Sequence, residues 1–374
     1  MMNPTNSSTS LAAEHAEKQQ RLQALMRDQD LDAVVISRHE NIAWLTAGAV
    51  DIRVGMLRET GPASLLISRD GDSFYVTTTN EAARLAEEEF SDLPYKPLLR
   101  PWTSNDIDAS IRFAIPSGKI GTDIPLGTYT PMNLQPLRLL LTAGEIERYR
   151  WLGQQMAATA TKILAALTPG MTERSIQAML AKELISRGLI PSVHLGAVDR
   201  RVRTYPHPVP RKGVLEKLAM LCFCARHGGL ACSITRFVHF GPMPEELSDA
   251  FHIVAHVNAH IQSATRAGAT ADELFSVLRN AYAEAGAPDG EQAHHQGGAA
   301  GYLEREWVAR PGGTERLTSA QAFAWNPSHH GAKVEDTRLL IGDKCETLTR
   351  TPDLPEVTTP FNGVVHTSAG VLIR

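Results

Sequence analysis

The chain contains 374 residues, of which 43% are hydrophobic and 21% are charged, the composition of an ordinary globular protein. This length exceeds what one typical hydrophobic core accommodates, so two domains are predicted. The formal net charge of -4 excludes the basic surface that nucleic-acid binding requires, and no apolar run reaches the roughly 18 residues that span a membrane. The predicted partner is therefore a small-molecule substrate, and neither a nucleic acid nor a membrane.

The N-terminal segment and the cysteines both favour a cytoplasmic protein. Residues 1–15 lack the basic and apolar regions of a secretory signal and are predicted to form a disordered tail. Three of the four cysteines, Cys222, Cys224 and Cys232, fall within a span of eleven residues, and Cys345 stands apart. Without an export signal, this spacing does not favour a disulfide framework.

Helix and strand patterns alternate over residues 16–135. The segment 30–37, DLDAVVIS, has the apolar character of a buried strand. Strand patterns at 62–68 and 73–79 flank Arg69-Asp70-Gly71-Asp72, whose residues favour a hairpin turn. These patterns predict a small α/β domain, which ends in a linker rich in Pro, Gly and Thr.

The following part of the chain contains an internal repeat. Residues 169–188, PGMTERSIQAMLAKELISRG, align without a gap to residues 267–286, AGATADELFSVLRNAYAEAG. The matched apolar positions have a helical period, and the matched glycines fall at helix ends. A long amphipathic helix is predicted before each copy, over 145–167 and 245–265. Residues 136–350 are therefore predicted to form a duplicated domain with its site between the two halves.

Between the two copies, residues 218–240 have the pattern of two strands joined at Arg226-His227-Gly228-Gly229. A four-residue loop would place Cys222 opposite Ser233, with Cys222 and Cys224 on one face. A Cys-x-Cys sequence beside a histidine is compatible with zinc, but structural zinc sites prefer Cys-x2-Cys. Small buried thiols that fill the sheet are the simpler interpretation.

The segment 294–338 has the composition of a functional centre. It combines four histidines and several glycines with Arg305, Glu306, Asn326 and Glu335 in a strand-like pattern. Glycines let a backbone approach a ligand closely, and histidines and carboxylates transfer protons or bind metals. The alternative is a glycine-rich surface loop followed by an ordinary strand pair. Polar groups at this density between apolar strands need partners or a pocket, which favours a site.

This arrangement resembles the creatinase and aminopeptidase P group, whose catalytic domain has the pita-bread fold. The landmarks of the resemblance are Tyr205-Pro206-His207-Pro208, Ser233-Ile234-Thr235-Arg236, His294-His295-Gln296-Gly297-Gly298, Asn326-Pro327 and Val334-Glu335-Asp336-Thr337. The implied fold class is α+β: a small N-terminal α/β domain of the creatinase N-terminal type over 16–135 and a duplicated C-terminal pita-bread domain over 136–350. The tail at 351–374 either covers a subunit surface or is disordered.

The resemblance also identifies the groups that this chain lacks. In the metallopeptidase members, two aspartates, one histidine and two glutamates bind two divalent metals. The matching positions here are Cys222, Ser233, Gly298, Asn326 and Glu335, so only the last ligand is retained. Two hard cations held close together need several bridging carboxylates to offset their repulsion. We therefore expect no dinuclear metal centre and no cofactor.

Creatinase implies a metal-free use of the same scaffold. There a histidine that matches His207 transfers a proton, a task suited to a neutral imidazole. The two glutamates that creatinase uses correspond to Thr235 and Asn326, so creatine is not the expected substrate. The resemblance further implies a homodimer in which a loop of the N-terminal domain, carrying Arg53, reaches the neighbour's site.

These considerations select nine candidate residues. His207 and Glu335 are predicted to be catalytic. The predicted substrate-binding residues are Arg53, Cys222, Ser233, His295, Arg305, Asn326 and His330.

Three functions are compatible with these residues. The leading prediction is a metal-independent, creatinase-like hydrolase or lyase that acts on a C–N bond of a small amide, ureido or amidine substrate bearing a carboxylate, with His207 as general acid and base. The second is a non-catalytic binding module on the same fold, which the density of ionisable groups disfavours. The third is an Xaa-Pro metallopeptidase with an altered metal site, which the loss of ligands disfavours.

Overall fold

The structure, a computed structural model, describes residues 8–56 and 58–374. The described chain divides into two compact units. The first unit extends through Arg138 and also contains residues 142–145 and 228–230, and the remaining residues form the second unit. Among the described residues, no helix has the length and apolar character needed to cross a membrane.

The first unit is built on a six-stranded sheet with the strand order β4-β3-β2-β1-β5-β6. Its strands are β1 (Ala33–Arg38), β2 (Thr60–Ser68), β3 (Ser73–Thr78), β4 (Lys96–Arg100), β5 (Ile120–Thr122) and β6 (Thr130–Pro131). Strand β2 pairs antiparallel with β1 and β3, whereas β4, β5 and β6 join in parallel pairs. The predicted hairpin at 69–72 is confirmed, because Ile67 of β2 lies opposite Ser73 of β3.

The helices up to Leu139 are α1 (Ser8–Asp28), α2 (His39–Leu45), α3 (Ala82–Arg84), which continues as a π-helical turn over Leu85–Glu89, α4 (Ile107–Ala114) and α5 (Gln135–Leu139). The disordered tail predicted for residues 1–15 is therefore wrong over 8–15, and residues 1–7 lie outside the described residues. Helix α1 is held by buried contacts: Leu11 is buried, and the ammonium of Lys18 lies 2.7 Å from the carboxylate of Glu145.

The second unit contains a nine-stranded sheet whose main order is β11-β10-β12-β15-β9-β8-β7, with β16 beside β15 and β19 beside β9. The strands are β7 (Ile190–Val198), β8 (Leu218–His227), β9 (Leu230–His239), β10 (Gly297–Ala300), β11 (Trp307–Val308), β12 (Gln321–Trp325), β13 (Ser328–His329), β14 (Ala332–Lys333), β15 (Glu335–Ile341), β16 (Lys344–Thr347), β17 (Glu356–Phe361), β18 (Val364–Ala369) and β19 (Val371–Ile373). The helices are α6 (Ala143–Ala166), α7 (Glu173–Ser186), α8 (Arg200–Thr204), α9 (Glu245–Ala264) and α10 (Ala271–Glu284).

The internal repeat is visible as two helices with the same caps. Helix α7 starts after Thr172 and α10 after Thr270, and both threonines form a capping box. Both helices are followed by a glycine with positive φ, 73° at Gly188 and 77° at Gly286. A long helix, α6 or α9, precedes each copy. The duplication predicted from the sequence is therefore confirmed.

The C-terminal segment 351–374 is part of the second unit. Residues Val371–Ile373 pair in parallel with Phe237–His239, and Nδ2 of Asn258 donates to Oγ of Ser368 over 2.8 Å. Disorder, one of the two alternatives for this tail, is therefore wrong, because the tail forms an ordered hairpin, β17–β18, and a strand of the main sheet. A role in covering a subunit surface stays a prediction.

Apolar packing surrounds the central strands of the second unit. One cluster joins Val257 of α9, Leu278 of α10 and Phe323 of β12, and another packs Phe237 of β9 against Phe251 of α9 with ring centroids 5.1 Å apart. Polar side chains on these strands are withdrawn from water and must find partners within the protein or in a ligand.

Candidate functional site

The β8–β9 hairpin positions the first candidate residues. Its loop consists of Gly228 and Gly229, with positive φ values of 52° and 78°, as a two-residue turn requires. The predicted four-residue loop, and with it the pairing of Cys222 with Ser233, is therefore wrong. A shorter loop shifts the pairing by two residues, and Sγ of Cys224 instead lies 3.1 Å from Oγ of Ser233.

Glu335, the first residue of β15, lies at the centre of a buried polar cluster and is only 3% exposed. Its Oε1 accepts a hydrogen bond from Nη2 of Arg305 over 2.8 Å. Its Oε2 accepts from Oγ1 of Thr235 over 2.6 Å and from Sγ of Cys222 over 3.5 Å. Both carboxylate oxygens thus have donors supplied by the chain itself.

Two cationic side chains accompany this single carboxylate. Arg305 also donates from Nη1 to Oγ of Ser233 over 3.2 Å. Lys333 is 4% exposed, and its Nζ lies 3.9 Å from Sγ of Cys222. Within the described part of the chain, no carboxylate forms an ion pair with Lys333. The cluster therefore has an excess of positive charge.

The charge of Glu335 follows from its neighbours. Burial alone would raise its pKa, but Lys333, Arg305 and the hydrogen bond from Thr235 lower that pKa to about 2. Glu335 is consequently ionised at neutral pH. It balances one of the two adjacent cations and leaves the other for an anionic ligand.

The thiols of the cluster keep their protons. Burial raises the pKa of Cys222 to about 11, although the charge of Lys333 acts in the opposite direction. Burial also raises the pKa of Cys224 well above its ordinary value. Since the thiolate is the nucleophilic and metal-binding form, these residues act as weak hydrogen-bond donors and packing groups at neutral pH.

Three histidines from distant parts of the sequence come together beside the cluster. The ring centroid of His207 lies 5.2 Å from that of His294 and 5.6 Å from that of His295. His207 is exposed to solvent, but partial desolvation by its neighbours and the charge of Lys333 lower its pKa, and Glu335 only partly opposes this effect. Desolvation by neighbouring groups and nearby cations also lower the pKa of the half-buried His294 to about 3 and that of the more exposed His295 to about 4. All three imidazoles are therefore neutral at pH 7.

A cavity of about 340 Å³ is lined by Lys333, the one member of the cluster that belongs to its wall among the described residues. Its wall includes Tyr205 and Pro206, which directly precede His207, and Lys333 of β14. His330, which has a positive φ of 45°, lines the same cavity. The volume lies in the range of small-molecule binding sites. Most of the ionisable side chains that line the cavity are cations or imidazoles.

Two further candidates have different surroundings. Asn326 is 2% exposed, and its buried Oδ1 has no hydrogen-bond partner among the described residues, so it is an acceptor available to a ligand. Arg53 belongs to the first unit, where its Nε and Nη2 donate to the carboxylate of Asp51 over 2.9 and 2.8 Å. Its contact with a neighbouring subunit's site stays a prediction.

Arg236, beside the predicted site in sequence, has a structural role. Its side chain is 1% exposed, and it donates to Oδ1 of Asp336 over 2.6 Å and to the carbonyl oxygen of Thr349 over 2.7 Å. These contacts tie β9 to β15 and to the segment after β16. No donor of this guanidinium is directed at the histidines.

Three residues of the cluster were not among those selected from the sequence: Lys333, Thr235 and Cys224. A signal for Lys333 was present, because it lies two positions before Glu335 with the apolar Val334 between them. In an extended chain, such positions share one face. A lysine on the same face as a buried carboxylate therefore indicates a paired or ligand-binding cation.

The cluster does not fit the two divalent metals implied by the resemblance. Both oxygens of Glu335 already have donors, and Arg305 and Lys333 would repel a cation. At Gly298, the position of the histidine ligand, an added Cβ would lie 2.0 Å from the carbonyl oxygen of Trp307. The backbone would have to move before any side chain could occupy that position.

Comparisons with known proteins identify the relatives of the chain. The model of metallopeptidase family M24 matches residues 147–341, and that of the creatinase/prolidase N-terminal domain matches residues 18–132. An Xaa-Pro dipeptidase of Pyrococcus horikoshii is 22% identical over 90% of this chain and 97% of its own length. An Xaa-Pro dipeptidase of Lactobacillus helveticus is 26% identical over 58% of this chain and 62% of its own length.

A solved structure of an Xaa-Pro dipeptidase from Bacillus anthracis has a TM-score of 0.75 at 18% identity, covering 96% of this chain and 100% of its own. At this identity the likeness shows the fold, and it confirms the predicted α+β class with a creatinase-type N-terminal domain and a pita-bread domain. The M24 model matches more than half of the chain. The chain therefore belongs to metallopeptidase family M24, a family of hydrolases, and carries the creatinase/prolidase N-terminal domain.

Proposed function

We propose that this protein is a metal-independent hydrolase that cleaves a C–N bond in a small polar substrate bearing a carboxylate. The observation that carries the proposal is the charge of the Glu335 cluster. Arg305 and Lys333 accompany one carboxylate, in the place where the family's metallopeptidases concentrate ligands for cations. A site with this charge favours an anionic ligand and disfavours a pair of metal ions.

The substrate carboxylate would be held by Lys333. Lys333 lines the 340 Å³ cavity, and its ammonium has the Cys222 thiol as its partner in the described chain. A buried ammonium with a weak acceptor gains more from an ionic partner than a solvated one does. The unpartnered Oδ1 of Asn326 would accept a hydrogen bond from an amide, ureido or amidine N–H of the same substrate.

His207 would transfer the proton. As a neutral imidazole, it would accept a proton from the attacking water while the oxygen bonds to the substrate carbon. The same proton would then pass to the leaving nitrogen as the C–N bond breaks, so that one water is consumed and an amine or ammonia is released. Its place in the chain directly after Pro206, which lines the cavity, and its lowered pKa support this role.

The quaternary arrangement belongs to the same proposal. A homodimer in which Arg53 of one protomer contacts the substrate in the neighbour's site is inferred from the resemblance to creatinase. The half-buried, bidentate pairing of Arg53 with Asp51 holds its guanidinium in one orientation, which suits a positioned anion contact. Mixing an Arg53→Ala subunit with a His207→Ala subunit would restore activity only if the site is shared.

The test uses chelator-treated, full-length protein and a panel of N-carbamoyl, amide and amidino derivatives of amino acids, together with Xaa-Pro dipeptides. We expect chelator-resistant turnover of a carboxylate-bearing compound, with incorporation of oxygen from labelled water into the product. His207→Ala should remove this turnover, and His252→Ala, on the exposed side of α9, should leave it unchanged. Equal turnover in His207→Ala would refute the role of His207.

A second candidate is supported by the relatives. Both curated relatives described above are named Xaa-Pro dipeptidases, which favours a peptidase with an altered metal site. Cleavage of Xaa-Pro dipeptides that a chelator abolishes would establish this function and overturn the metal-independent proposal. Saturable binding without turnover of any compound would instead support the non-catalytic module.

A further inference from the structure

A second cluster of potential ligands lies on helices α9 and α10. His256 and His260 are four residues apart on α9 and therefore face the same side. Glu284, the last residue of α10, faces them: its Oε2 lies 3.8 Å from Nε2 of His256 and 3.7 Å from Nε2 of His260. One ligand atom of each residue lies within 4.8 Å of the other two.

The two imidazole nitrogens lack other partners. Nε2 of His256 and Nε2 of His260 are both buried, and neither has a hydrogen-bond partner among the described residues. His260 is 9% exposed, and its ring stacks on Phe361 with centroids 3.7 Å apart. A buried nitrogen without a partner is energetically costly, so this arrangement indicates an absent ligand.

The donor set corresponds to one class of cation. Two imidazoles at i and i+4 on a helix, with a carboxylate from a second element, are ligands of zinc and similar divalent transition metals. Ligand atoms around tetrahedral zinc, bonded at 2.0–2.2 Å, are separated by about 3.4 Å. The observed separations of 3.7 and 3.8 Å need only small rotations of the side chains to reach this value.

The surroundings leave room for a fourth ligand. A cavity of about 380 Å³ is bordered by His260, Glu284, Asn280, Phe361 and Asn362.

We propose that His256, His260 and Glu284 form a zinc-type metal site that links α9 to the end of α10. The site shares no residue with the Glu335 cluster. Because its ligands come from the second helical pair of the duplicated domain, the ion would cross-link that pair and stabilise it. Its fourth position would hold water or a small ligand in the adjacent cavity.

The test is titration of the chelator-treated, full-length protein with zinc chloride, followed by calorimetry, and with cobalt chloride, followed by absorption. We expect one equivalent of saturable zinc binding, a tetrahedral cobalt spectrum, and a rise in Tm with zinc. Glu284→Gln, at an exposed position, should weaken zinc binding at least about 10-fold, and the double variant His256→Ala/His260→Ala should remove it.

Two controls make the result specific. His252→Ala removes an exposed histidine one turn earlier on α9 and should leave binding unchanged. Cys222→Ser removes the thiol beside Glu335 and should also leave it unchanged. No saturable binding in the unaltered protein, or stoichiometric zinc retained in both the Glu284→Gln and the double variants, would overturn the proposal. The double variant also separates zinc at this site from any metal required for catalysis.

Discussion

Nη2 of Arg305 lies 2.8 Å from Oε1 of Glu335, with both side chains largely withdrawn from solvent. The carboxylate that the family resemblance associates with a metal is thus paired with a guanidinium of the same chain. Oγ1 of Thr235 donates a hydrogen bond to the second carboxylate oxygen, Oε2 of Glu335, over 2.6 Å. This internal pairing explains how a single acidic ligand persists after the other four have been replaced: its charge stabilises two buried cations.

Replacing Glu335 by Gln should destabilise the protein strongly. Glutamine preserves the shape of the side chain but leaves Arg305 and Lys333 without a buried counter-charge. Breaking a buried ion pair in this way costs about 3–5 kcal/mol, which urea unfolding would measure. The matched control is Glu346→Gln, which removes the surface pair with Arg150 at 3.0 Å and should cost less than about 1 kcal/mol. Similar losses in the two variants would contradict the central role of Glu335.

The pH dependence of His207 should report the charge of Lys333. Because the folded pKa is lowered from 6.5, the imidazole is neutral at pH 7 and gains a proton only on acidification below 6.5. Catalysis that uses the neutral base should fall across that lower range. Lys333→Met removes a neighbouring positive charge and should raise the pKa of His207, moving the acid limb of kcat/KM upward.

The same shift can be measured without a substrate by NMR titration of the His207 ring. Lys344→Met, at an exposed position of strand β16 eleven residues after Lys333, provides a variant with the same change in net charge. We expect it to leave the titration unchanged. An unchanged or downward-shifted pKa in Lys333→Met would show that the ammonium does not act on His207.

The repeat and the family landmarks were accessible from the sequence because they depend on local patterns. The helices that begin after Thr172 and Thr270 have capping residues and apolar residues at helical spacing, and both features can be recognised in the sequence. The first eight residues of helix α1, residues 8–15, were not recognised as helical, because they resemble a tail until the buried contact of Lys18 with Glu145 is known. That contact joins residues 127 positions apart in the chain.

The sequence predicted several residues of the candidate site but not the hydrogen bonds between them. His207, Arg305 and Glu335 were selected by matching them to family landmarks, yet nothing in the sequence states that Arg305 donates to Glu335. The hairpin register failed for a physical reason: Gly228 and Gly229 adopt positive φ and close the turn with two residues, where four were counted. His256, His260 and Glu284 were missed, since their proximity depends on how α9 packs against α10.

The stability of the fold should decrease as the pH falls below 6.5, in part because of His294. Its folded pKa of about 3 lies below the unfolded value of 6.5, so the unfolded state binds the proton first. The stability contributed by the neutral ring is complete above pH 6.5 and is lost progressively towards about pH 3. This one group accounts for a slope of at most about 1.4 kcal/mol per pH unit.

His294→Gln should reduce that slope, because the variant has no imidazole to protonate in the unfolded state. The measurement is urea unfolding between pH 7 and 5, a window above the range in which Glu335, with a pKa of about 2, loses its contribution. His252→Gln, at an exposed position of α9, is the matched control. A wild-type slope retained in His294→Gln would exclude His294 as a source of the acid sensitivity.

Restoring the missing histidine ligand at Gly298 should disrupt the fold. A Cβ at this position would lie 2.0 Å from the carbonyl oxygen of Trp307 and 2.7 Å from Cα of Val308, both in the paired strand β11. Since these are backbone atoms, no side-chain rotation relieves the contact, and Gly298→Ala should already cost about 1–3 kcal/mol. Gly298→His should cost more and should bind no additional metal.

Gly196→Ala supplies the control, because on strand β7 the nearest atom to an added Cβ is the carbonyl oxygen of Met220 at 3.6 Å, an ordinary contact. Thermal unfolding of the three variants would rank them. If Gly298→His folded with unchanged Tm and bound metal, β10 and β11 could separate, and the family's metal centre would be recoverable by substitution of ligands alone. If Gly298→His unfolds, the backbone of β11 prevents a histidine ligand at position 298, and substitution of side chains alone cannot rebuild the family's metal centre.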